Sequence, residues 1–230
     1  MPKKKPLRLP LYDLKQKFTT LSGSTYYSAG NPSDNLILWA RAATKDAVPT
    51  TAIDDSGNGH TVTFNGASTA GDTNQVAKSS PFEHINLANL RTPVRFPKSA
   101  APFVKVNDAD DLSFGNGAED GDADFTMASW MLFTSGSATA YIMSKSTEYE
   151  FLYHDGALTG SVIDTSATAQ LSFRTSLGSS VNVNKWHHLA FTYDASVHSS
   201  SRGKLYLDGR YMSGSCTYAG TYVGMEPSAN

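Results

Sequence analysis

In the stretch "HHLAFTYD", Leu189, Phe191 and Tyr193 alternate with His188, Ala190 and Thr192. A period of two puts one set on each face of a strand, so this segment predicts a strand with one buried face. Short runs of the same grain, rich in β-branched and aromatic residues, recur from about residue 35. They are "LILWARA", "HTVTF", "PFVKV", "DFTMASWMLF", "AYIMSK", "YEFLYH", "LTGSVI", "AQLSFRT", "KLYL" and "RYMSG". Two joints carry strong hairpin signals: Asp155-Gly156 in "YHDGAL" and Asp208-Gly209 in "YLDGRY". Asp-Gly suits the two-residue turn in which both central residues take positive φ. No segment keeps a 3.6-residue period over 12 residues. Many short strands separated by turns predict an all-β antiparallel sandwich. Trp39, Trp130, Trp186, Leu189 and Phe191 are its expected buried residues.

The first 33 residues break this pattern. Lys3, Lys4, Lys5, Arg8, Lys15 and Lys17 are answered only by Asp13, and Pro2, Pro6 and Pro10 forbid a regular helix at the start. The expected division is therefore a basic arm and linker over 1–33 and the sandwich over 34–230. Two readings fit the arm: a solvated tail, or a docking arm onto a larger assembly. Lys3, Lys4, Lys5 and Arg8 supply charge, while Leu9, Leu11, Leu14 and Phe18 supply apolar surface that a solvating tail does not need. Docking is the expectation.

Composition narrows the functional classes. A formal net charge of −2 over 230 residues argues against a whole-surface nucleic-acid binder. The single cysteine, Cys216, excludes an internal disulfide and is read as a structural thiol. No apolar run approaches the roughly 20 residues of a membrane span. The start lacks the apolar stretch of a signal peptide, so the expectation is synthesis in the host cytoplasm and a final place on a virion surface reached by lysis rather than by secretion.

The stretch "DDSGNGHTVTFNG", Asp54 to Gly66, holds the densest candidate chemistry. A phosphate cradle needs a helix after the glycines, and a strand pattern follows instead. A metal loop and a plain turn remain. The run Asp120, Asp122, Asp124 imitates the start of an EF-hand loop. That loop needs Gly at its sixth position and Glu at its twelfth, where this chain has Phe125 and Met131. A solvated acidic loop is expected there. His187 and His188 are neighbours on a strand and point to opposite faces, so they do not chelate one metal together.

Four stretches in the same order resemble the laminin-G-like branch of the concanavalin A-like lectin/glucanase superfamily. "LILWARA…AIDDSGNGHTVTFNG" is similar to its first strand and Asp-x-Ser-Gly-Asn-Gly turn. "FVKVNDADDLSF" leading into "DFTMASWMLF" is similar to its next strand pair. "NVNKWHHLAFTYD" and "GKLYLDGRYMSG" resemble its Trp-His-His strand and the hairpin after it. The resemblance implies a jelly-roll sandwich. It also implies a structural calcium (Ca2+) site at the turn, with Asp54 as the carboxylate and Asn58 and His60 offering backbone carbonyls. Family members usually continue past the "GMEPSAN" loop with further strands, which this sequence does not show. The expected source of those strands is a longer protein or another chain.

Some relatives with this fold are glycosidases carrying Glu-x-Asp-x-x-Glu on one strand. The nearest approach is "EYEF", with Glu148 and Glu150 but neither the middle Asp nor the third acid. The expectation is thus non-catalytic: a virion structural, decoration or fibre protein. Its lectin-like sandwich faces outward with cell-surface glycans as candidate ligands. Its arm docks other virion proteins, in an oligomeric or assembly-bound state. A free carbohydrate-binding adhesion module is the alternative. The sandwich is expected to contact neither nucleic acid nor membrane, and its glycan-binding loop is not assigned.

Overall fold

The computed structural model describes residues 37–38, 43–44, 51–52, 54, 56–65, 68–69, 92–95, 103–116, 121–133, 139–145, 148–164, 170–178, 181 and 184–225. The arm, with Lys3, Lys4, Lys5, Arg8, Leu9, Leu11, Leu14 and Phe18, lies outside the described residues, as does Trp39.

The early strands are short: β1 (Ala43–Thr44), β2 (Thr51–Ala52), β3 (Val62–Asn65), β4 (Ser68–Thr69), β5 (Thr92–Arg95) and β6 (Phe103–Val106). The longer ones follow: β7 (Phe125–Leu132), β8 (Thr139–Lys145), β9 (Tyr149–His154), β10 (Ala157–Ile163), β11 (Gln170–Ser176) and β12 (Trp186–Tyr193). The last three are β13 (Gly203–Leu207), β14 (Arg210–Met212) and β15 (Ser215–Ala219). Among the described residues, every strand pairing is antiparallel. One sheet runs β15-β11-β10-β9-β8 and a second runs β14-β13-β12-β7; β2-β3-β6 and β1-β5-β4 form two smaller sheets.

The two large sheets face each other across an aromatic core. Phe151 and Phe173 come from the first, and Leu189, Phe191 and Leu205 from the second; all are buried. The contact is so close that two strand positions must be glycine. A Cβ on Gly160 would lie 2.4 Å from the Phe191 ring, and one on Gly203 would lie 2.2 Å from Phe173. A glycine inside a strand is thus explained by the approach of a facing side chain. Both Asp-Gly hairpins form as their sequences require. Asp155 and Gly156 have φ of 47° and 71°, and Asp208 and Gly209 have 50° and 77°.

Two features depart from the sequence expectation. Trp130 is 45% exposed rather than buried. It shares the outward parity of Thr126 and Ala128 on β7, and its ring packs on His188 of β12 at 5.2 Å. Strand β15, "SCTYA", has too little alternation to be read from sequence. It forms by pairing with β11, Tyr218 opposite Leu171 and Cys216 opposite Phe173. Trp186 is half-buried, whereas Leu189 and Phe191 are fully buried as expected.

The 108–113 connection is anchored by charge. Lys145 lies 2.9 Å from both Asp108 and the buried Glu148, and also donates to Ser113. Burial opposes the charge on Lys145, but the Glu148 and Asp108 carboxylates outweigh it and hold its pKa above the ordinary value. The same hydrogen bond from Lys145 holds Asp108 below the ordinary carboxylate value. Among the described residues, no helix is long and apolar enough to cross a membrane.

Candidate functional site at one end of the sandwich

The loop between β12 and β13 builds an open cleft at one end of the sandwich. Its first turn is local. Asp194 accepts from the Ser196 N–H at 3.0 Å and from its hydroxyl at 2.6 Å. The Ser196 hydroxyl is the main reason that the Asp194 carboxyl sits below its usual pKa. His198 caps the short 3-10 turn Ser199–Ser201, accepting through Nδ1 from the Ser200 N–H. Such a cap leaves the ring proton on Nε2. Arg202 closes the loop, donating from Nε to the Val197 carbonyl at 3.1 Å and from Nη1 to the Tyr193 hydroxyl at 3.3 Å.

Two carboxylates tie this loop to the rest of the rim. Asp124, just before β7, accepts from the Ala195 N–H at 2.8 Å. Asp122 is a hub. Its Oδ2 accepts from the Tyr193 hydroxyl at 2.8 Å and from the Tyr222 hydroxyl, and its Oδ1 accepts from the Met225 N–H at 2.8 Å. Burial, with Asp122 adding to it against the opposing Tyr222 hydrogen bond, pushes the Tyr193 phenol up to about 12. Burial and the Asp122 hydrogen bond raise Tyr222 as well. The expected solvated acidic loop therefore holds one half-buried structural carboxylate.

The cleft has two adjoining hollows. One, about 610 Å³, is bounded by Asp122, Asp124, Ser196, His198 and Arg202. The other, about 510 Å³, is bounded by Tyr218, Thr221, Tyr222 and Val223, and shares His198 and Arg202 with the first. Tyr218 is 52% exposed, and its hydroxyl lies 3.0 Å from the Ser199 Oγ. The ring is thus held by its tip while its face stays open.

The Asp54 turn lies elsewhere. Asp54 Oδ1 accepts from the Ser56 N–H at 2.9 Å and Oδ2 from the His60 N–H at 3.0 Å. Asn58 donates from Nδ2 to the Ile37 carbonyl at 2.8 Å, and His60 Nε2 lies 3.2 Å from Asp111. These residues come together as a turn organised by one carboxylate. Among the described residues, no three His, Cys, Asp or Glu converge on a metal position. Calcium takes six to eight oxygens, so a site here needs further oxygens beyond Asp54 and the turn carbonyls. Asp54→Ala is expected to lower stability by about 1–3 kcal/mol, because two N–H donors lose their acceptor. Paired thermal melts with millimolar calcium and with chelator check the metal. A calcium-dependent rise in wild type that is absent from the variant supports ligation by Asp54. Equal melts in both conditions leave the turn alone.

The remaining chemistry sits in the scaffold. Glu148 lies in the turn before β9, fully buried against Lys145, and Glu150 is half-buried on β9. His187 is buried with Nδ1 at 2.8 Å from Asp208, while the His188 ring packs at a tilt against Trp130 on the outer face. Sequence reasoning did not find the cleft.

A laminin G family model described as "Concanavalin A-like lectin/glucanases superfamily" matches residues 106–226. Among solved structures, the crystal structure of the binding domain of Paraclostridial Mosquitocidal Protein 1 is similar, with a TM-score of 0.54 and 14% sequence identity. The match covers 86% of this chain and 44% of that chain, so the chain spans less than half of it. That likeness is one of fold. No curated protein matches the chain.

Proposed function

The chain belongs to the concanavalin A-like lectin/glucanases superfamily, and on that premise we propose that it is a non-catalytic glycan-binding module acting through the rim cleft. The observation that carries this reading is Tyr218: a half-open ring, hydrogen-bonded to Ser199, standing beside a hollow lined by His198, Arg202 and Thr221. The apolar face of a pyranose carries C–H groups, and an aromatic face attracts them while its edges leave the sugar hydroxyls to polar neighbours. The similar solved structure is that of a binding domain, which agrees with a binding role. The ion pair between Glu148 and Lys145 speaks against "EYEF" as a catalytic pair. Retaining hydrolysis needs two carboxyls about 5–5.5 Å apart, flanking a bound glycosidic link.

The finer reading is a virion or assembly protein that displays the sandwich outward and is docked by residues 1–33. Its support is the sequence of the arm, where basic residues accompany Leu9, Leu11, Leu14 and Phe18. A glycan array probed with wild type and with Tyr218→Ala tests the binding role. The wild type is expected to retain specific glycans, and the variant to lose them by at least about tenfold, equivalent to 1.4 kcal/mol. Its melting temperature should stay within a few degrees. Retained binding by the variant removes Tyr218 from the site. Deleting residues 1–33 is expected to leave glycan binding intact and abolish incorporation into the assembly; normal incorporation contradicts the docking role.

A further inference from the structure

We infer that the rim cleft takes an uncharged oligosaccharide of at least two rings, lying across both hollows, and that it rejects acidic glycans. The inference rests on the glycan-binding reading and deepens it.

Three observations carry it. First, the hollows are neighbours, with His198 and Arg202 in the lining of both. A single ring cannot reach both; a chain is needed to occupy the two together. Second, their linings differ. The Tyr218 side offers an exposed ring beside Val223, itself 42% exposed, which suits the apolar face of a ring. The Asp124 side offers hydroxyl partners. Asp124 uses Oδ1 for the Ala195 N–H, leaving Oδ2 to accept. His198 offers Nε2–H, and Ser196 its hydroxyl oxygen. Third, the fixed charge is negative. Asp122 and Asp124 face the single guanidinium of Arg202, giving a formal −1. A ligand carboxylate would meet two carboxylates and one guanidinium, two of whose N–H groups are already directed to Val197 and Tyr193. Like charges at such range repel unless salt screens them.

Isothermal titration of the full chain tests this with neutral hexose oligosaccharides of one, two and four residues. The matching uronic acid oligosaccharides form the second arm, and Asp124→Asn the third. Affinity for neutral probes is expected to rise by about tenfold or more from one residue to two. At low salt the acidic probes should bind at least about tenfold more weakly than the neutral ones. That gap should narrow in 0.5 M salt and in Asp124→Asn, which keeps an acceptor oxygen for Ala195 while removing the charge. Acidic probes binding as well as neutral ones, or single sugars binding as well as pairs, overturn the inference and leave the glycan reading standing. If no probe of either kind binds, both fall.

Discussion

Phe191→Ala is expected to lower the stability of the protein by about 3–5 kcal/mol, the usual cost of truncating a buried aromatic. Phe191 has no exposed surface. Its ring meets Phe125 edge-on at 5.9 Å and Phe151 and Phe173 at 6.1 Å each. Gly160 lies directly against it from the opposing sheet. Because both sheets are held apart by this ring, collapse into the vacated volume requires the sheets themselves to move. The transfer and cavity costs therefore both apply. Melting should fall by roughly 10–15 °C for a domain of this size. Denaturant midpoints read with a constant slope check the figure. A loss under about 1 kcal/mol would mean that the ring does not hold the sheets together.

The second large effect is at Asp122. Asp122→Ala leaves the Tyr193 hydroxyl, the Tyr222 hydroxyl and the Met225 N–H without their shared acceptor. Each stranded donor costs about 1–3 kcal/mol when buried, and the three are coupled, so the values do not add. A total of at least about 2 kcal/mol is expected, with melting lower by roughly 5–10 °C. Because Asp122 also bounds the cleft, glycan affinity should fall with it. The phenols add a pH signature. The native Tyr193 pKa is raised from 10.0 to about 12. Its contribution is fully present below pH 10 and is lost as pH rises toward 12. Wild-type melting should therefore decline across that alkaline window. A flat wild-type profile there, or an Asp122→Ala protein as stable as wild type, contradicts the hub.

Local sequence revealed what depends on local chemistry. Asp155-Gly156 and Asp208-Gly209 specify their turns because the residues themselves set φ. The parity of Leu189, Phe191 and Tyr193 specifies a buried face, and all three are buried. The same parity on β7 places Trp130 with Thr126 and Ala128, so its exposure was readable, but its apolar character argued the other way. Strand β15 was hidden because its stability comes from β11 rather than from its own pattern. The cleft was hidden for a related reason. The partners of Asp122 lie 71, 100 and 103 positions along the chain. No short motif encodes such a meeting. The run Asp120, Asp122, Asp124 drew notice for the wrong chemistry, as a failed calcium loop.

The protein carries a second exposed aromatic set, on the outer face of the β14-β13-β12-β7 sheet. It comprises Trp130, 45% exposed, and Tyr211, 58% exposed and packed edge-on against Tyr206 at 5.9 Å. These rings and the rim cleft lie on separate surfaces, so a map of perturbed residues distinguishes them. Titration of the isotope-labelled protein with a neutral oligosaccharide, followed through backbone amide shifts, locates the bound sugar. Binding in the cleft predicts shifts concentrated at residues 195–202 and 217–223, with Trp130 and Tyr211 unchanged. Shifts centred on Trp130, Tyr206 and Tyr211, with the cleft silent, would contradict it.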